Sequence, residues 1–92
     1  MTMYIVAYDV NTPHQGAVKA KLQANGFGNL IPVAPSGHRQ LPDTTLAVNA
    51  ASPKEALTKF KTLAVSAATG VVVERVVAVE ATQYSIDGEA YP

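Results

Sequence analysis

Two stretches forty positions apart share one construction. Thr12-Pro13 follows Tyr8-Asp9-Val10, and Ser52-Pro53 follows Val48-Asn49-Ala50. Each proline is preceded by a hydroxyl residue, and Gln15 and Glu55 stand three residues beyond those hydroxyls. Ser or Thr at the cap, Pro at the first helical position and Gln or Glu at the third satisfy the orphan donors of a helix start. Each stretch therefore reads as a buried strand turning directly into a capped helix. A repeated strand–helix unit with right-handed crossovers leaves few topologies open.

The first helix is predicted over 13–25, with Val18 and Leu22 on one face, Lys19 and Lys21 toward water, and Asn25-Gly26 as its stop. The second is predicted over 53–69, on an apolar stripe of Ala56, Leu57, Phe60, Leu63, Ala64 and Ala67. Strands are predicted over 3–10, 30–34, 44–49 and 71–79. The first is apolar at both parities, the mark of a strand covered on two sides. Pro32 cannot donate to a ladder, so its strand belongs at an edge. Residues 35–43, rich in Pro and Gly, read as a loop. Tyr84-Ser85-Ile86 suits a short fifth strand, and 87–92 read as a tail behind a single domain of 1–86.

The order β-α-β-β-α-β predicts an α+β, ferredoxin-like sandwich: a four-stranded antiparallel sheet with both helices on one face. The strands that precede helices then sit side by side in the centre. The uncovered face shows either Tyr4, Val6 and Tyr8 or Ile5 and Ala7. Both sets are apolar, so that face needs a cover. A homodimer interface at Tyr4, Val6 and Tyr8 supplies one.

Length and composition fit this scheme. At 92 residues the chain makes one domain with a thin core, a class often stabilised by self-association. It has no cysteine, which excludes disulfides, thiolate zinc sites and cysteine nucleophiles. Seven basic side chains balance seven acidic ones, so overall charge gives no steering toward nucleic acid. The charge is uneven, however: Glu74, Glu80, Asp87 and Glu89 crowd the end of the chain, and all five lysines precede them. No apolar run approaches the roughly 20 residues of a membrane span. The N-terminus lacks the basic region of a signal peptide, so a cytoplasmic location is expected.

Few residues suggest chemistry. The six glycines are too scattered for a phosphate-cradling loop. His38 and Arg39, in the long loop, could hold an anion or phosphate. Asp9 stands where the buried first strand ends. It either satisfies backbone donors in the strand–helix turn or serves as a metal-binding carboxylate. One Asp per chain is a weak Mg²⁺ site, whereas two copies across a dimer axis make a stronger one.

Tyr4-Ile5-Val6-Ala7-Tyr8-Asp9-Val10, followed by a turn and a helix, resembles the opening of the Cas-two family of small CRISPR-adaptation proteins and the related virulence-associated toxin D ribonucleases. Leu41-Pro42-Asp43-Thr44-Thr45-Leu46-Ala47-Val48, before a capped helix, is similar to compact stand-alone relatives of that family. The resemblance implies a ferredoxin-like homodimer joined across its sheet faces, with an aspartate ending the first strand, here Asp9. That position serves Mg²⁺-dependent phosphodiester cleavage in some members and no catalysis in others. The family's basic residues in and after the first helix are reduced here to Lys19 and Lys21, so nucleic-acid binding is expected to be weak or absent. The expected function is a non-catalytic dimeric interaction or assembly module, with a protein partner. The alternatives are a Mg²⁺-dependent endonuclease using Asp9 paired across the dimer, and a small-ligand regulatory domain with its pocket at 35–43.

Overall fold

The computed structural model describes residues 2–33 and 35–87, and the backbone of 90–91. Strand β1 (Thr2–Val10) occupies the centre of the main sheet, flanked by β4 (Thr45–Ala50) and β5 (Val73–Glu80), both antiparallel to it. Val6 lies opposite Leu46 on one side and Ala78 on the other. Gly28 and Ala47 exchange two backbone hydrogen bonds of 2.8 Å, so the run into β2 (Leu30–Pro32) borders the far side of β4. The resulting order is that of the ferredoxin-like sandwich, with β1 and β4, the two strands that precede helices, adjacent as expected.

Helices α1 (Gln15–Gln23) and α2 (Pro53–Ser66) cover one face. Between them and the sheet lie Tyr4, Val6, Tyr8 and Val10 of β1, Leu46 and Val48 of β4, Val18 and Leu22 of α1, and Ala56, Phe60 and Ala64 of α2. Phe60 is fully buried, its ring 4.8 Å from that of Tyr8 and 6.4 Å from that of Phe27. This overturns the interface expected at Tyr4, Val6 and Tyr8. All three belong to the core, because their parity of β1 carries the bulkier side chains and the helices pack on it. Met3, Ile5, Ala7 and Asp9 take the opposite face.

The two helix starts differ. Ser52 Oγ accepts from Glu55 N–H at 3.1 Å, and Glu55 Oε1 accepts from Ala51 N–H at 3.2 Å, close to the predicted box. At Thr12 no side-chain cap forms. Thr12–His14 wind as a 3-10 turn, with His14 N–H on the Asn11 carbonyl at 3.0 Å, and α1 begins only at Gln15. Asn11 is engaged elsewhere. Its Nδ2 donates to the Gly70 carbonyl at 3.0 Å, and its Oδ1 accepts from Val72 N–H at 2.9 Å. This side chain ties the end of β1 to the turn into β5. Gly70 holds φ +88°, and a Cβ there would stand 3.4 Å from His14 Nε2.

A second small sheet runs β2 (Leu30–Pro32), β3 (His38–Gln40), β6 (Ala90–Tyr91). Pro32 lies in an outermost strand, as its missing N–H requires. The segment 35–43 is not all loop: β3 pairs Ile31 with Arg39 and closes a hairpin through Gly37 at φ +96°. His-Arg-Gln has no apolar alternation, so only its neighbours make it a strand. The extra strand falls at Ala90–Tyr91, against β3, rather than at Tyr84-Ser85-Ile86. The expected turn at Asp87-Gly88 and the rest of the tail, Glu89 and Pro92, lie largely outside the described residues. Tyr84 Oη donates to the Pro32 carbonyl. Ile86 joins Met3 and Ile5 against a second apolar cluster of Ile31, Leu41 and Ala47. The chain thus covers the β4 side of its own second sheet face. No helix among the described residues is long and apolar enough to cross a membrane.

Candidate functional site

Asp9 stands on the second face, near the end of β1, directly opposite Arg75 of β5. The ladder shifts register between Asp9 and Val10, which ends the regular pairing there. Arg75 Nε donates to Asp9 Oδ2 at 2.8 Å. The side chains are 76% and 49% exposed, so the pair is wet and contributes little to stability. Through that hydrogen bond, and then through its charge, Asp9 holds the Arg75 guanidinium above the ordinary arginine range. A hydrated cation reaching Asp9 Oδ2 competes with this guanidinium. Among the described residues no three His, Cys, Asp or Glu side chains converge as a metal cluster.

The neighbouring acid is also engaged. Asp43 Oδ1 accepts from Lys19 Nζ at 2.9 Å. Thr44 follows at φ +57°, a conformation rare for a β-branched residue, and its carbonyl accepts from Tyr8 N–H at 3.0 Å. Burial, and secondarily the charge of Asp43, push the Tyr8 phenol above its ordinary value. The folded state therefore holds that proton more tightly than the unfolded chain does. The stabilisation is complete below about pH 10, the unfolded tyrosine value, and is lost as pH rises through the higher folded value. Urea midpoints at pH 8 and pH 11 should fall less for Tyr8→Phe than for the wild type.

His38 and Arg39 do not form a loop clasp. Successive residues of β3 point to opposite faces of its sheet, so the two side chains diverge. Arg39 Nη1 contacts the His38 carbonyl at 3.4 Å. A shallow cleft of about 320 Å³ lies where the main sheet meets the covering segments. Of 35–43, where a ligand pocket was expected, only Leu41 and Pro42 reach it, beside Ile5, Ile31 and Tyr84.

The β5 side of this face is bare. Val77 lies beside Ala7 and Val79 beside Ile5, and the two valines are 53% and 52% exposed. Sequence reasoning singled out Asp9 but neither its partner Arg75 nor this valine pair. The signal was present in the 71–79 run, where Arg75, Val77 and Val79 share one parity. Comparison with protein-family models, curated protein sequences and solved structures finds no match to this chain.

Proposed function

We infer that this chain is a homodimeric interaction module that works by assembly rather than by catalysis. Its element order and its Tyr8-Asp9 strand end resemble the Cas-two family. The observation that carries the reading is the bare Val77–Val79 strip beside Ile5 and Ala7, on a face whose β4 side is covered by the chain's own segments. Removing such apolar area from water is worth about 25 cal/mol per Å². A second copy is the partner a 92-residue chain always has at hand. The Asp9–Arg75 pair supports the non-catalytic side of the reading, because the carboxylate already has a cationic partner.

Sedimentation at micromolar concentration tests it. The wild type is expected to run as a dimer and Val77→Lys as a folded monomer. A monomeric wild type overturns the reading. Mg²⁺-dependent nucleic-acid cleavage that vanishes in Asp9→Ala, with the fold intact, replaces it with the endonuclease built on Asp9.

A further inference from the structure

Strand β5 has a free edge. It is an outer strand of the β4-β1-β5 sheet, eight residues long, and no described strand pairs with its far side. Ala81 N–H donates to the Met3 carbonyl at 2.9 Å. Alternate residues of an antiparallel ladder turn their N–H and C=O groups to opposite neighbours. In this phase the odd positions of β5 bond to β1, while Val76, Ala78 and Glu80 turn theirs outward. Neither Pro nor Gly interrupts the strand to blunt this edge.

The flanks carry complementary charge. Asn25, in the turn just past α1, shares a cleft with Glu55, Lys59 and Leu63, so that flank of α2 faces the α1 side. At about 100° per residue, Lys54 and Lys61 fall together on the other flank, toward β5. Glu80 shares the helix-side parity of β5 with Val76 and Ala78, which pack against the core, and Glu74 is the residue at which the ladder shifts register. None of these two lysines and two glutamates is ion-paired among the described residues.

We propose that β5 pairs antiparallel with β5 of a second copy about a two-fold axis at Ala78, joining the two main sheets edge to edge. This rests on the homodimer reading above and names its contact. An axis normal to the sheet keeps the helices of both copies on one side, so only residues of like parity can stand opposite. Centring on Val77 places Glu74 against Glu80 of the partner subunit, a like-charge pair that destabilises. Centring on Val76 brings Arg75 diagonal to Arg75 of the partner subunit. Centring on Ala78 puts no like charges directly opposite and parts the arginines, leaving Glu74 only diagonal to Glu80 of the partner subunit. It sets Val77 against Val79 of the partner subunit, so the valines of the two strips pack side by side and each strip loses part of its exposed area. It also brings Glu80 of the partner subunit opposite Val76, on the side of the lysine-bearing flank of α2.

Two measurements on the full chain test the pairing. Amide exchange followed by NMR should slow by about tenfold or more at Val76, Ala78 and Glu80 between dilute and dimeric samples, because edge amides gain partners. The chain has no cysteine of its own, so single cysteines report the register. Opposed non-hydrogen-bonded residues stand about 4.5 Å apart at Cα, within disulfide reach. Val77→Cys mixed with Val79→Cys should therefore cross-link at least about tenfold more than either variant alone. A dimer by sedimentation whose Val76, Ala78 and Glu80 amides exchange freely, or whose single variants cross-link as well as the mixture, overturns the edge pairing and leaves the homodimer standing. A wild type that stays monomeric overturns both.

Discussion

Phe60→Ala should cost the fold about 3–5 kcal/mol, the usual range for truncating a fully buried aromatic ring. The residue has no exposed surface, and two rings, Tyr8 from β1 and Phe27 after α1, rest against it. Its removal leaves a void between α2, β1 and the turn that carries Phe27. Domains of this size hold only about 5–15 kcal/mol in all, so the variant should melt tens of degrees lower or be partly unfolded at 37 °C. Thermal melts by circular dichroism decide it. A drop of only a few degrees would show that α2 does not seat on β1 through Phe60.

The same substitution on opposite faces should have opposite outcomes. Val6→Asp places a carboxylate at a position with no solvent exposure, among Leu46, Phe60 and other apolar groups. Burying an unpaired charge costs several kcal/mol, enough to abolish folding of a small domain. Val77→Asp sits 53% exposed on the far face and should leave the monomer folded. Far-UV spectra and urea titrations of the two proteins give the result directly. A folded Val6→Asp would mean that the parity of β1 is reversed.

The contrast between those positions also marks where sequence ceases to inform. Residues 3–10 are apolar at both parities, so period-2 reasoning finds the strand but cannot choose its core face. The choice falls to volume: Tyr4 and Tyr8 fill space under the helices that Ile5 and Ala7 could not. Ser52-Pro53-Lys54-Glu55 is a local device, and it forms close to the way its chemistry reads. Thr12-Pro13-His14-Gln15 has the same letters, yet Asn11 commits its amide to residues 70 and 72 and the start tightens into a 3-10 turn. A partner fifty-nine residues away is invisible to a local pattern. The strand at His38–Gln40 is legible only from the segments that border it, and Asp9 gains its arginine only through the β1–β5 register. Helix positions, strand order and the location of Asp9 were legible; what each of them touches was not.

The central place of β1 has a consequence for the order in which the protein can be built. A chain leaves the ribosome from its N-terminal side, so β1 emerges before either neighbour, and β5, opposite it from Tyr4 to Val10, comes more than sixty residues later. Until then β1 can hold only β4, and the hydrogen-bonding edge that β5 will occupy stays open on a strand rich in Ile, Val and Tyr. Pairings this distant in sequence slow the search, and they prolong the interval in which such an edge can meet another nascent chain. Synthesis rate and chaperone capture, more than equilibrium stability, should therefore set the yield of this protein in a cell.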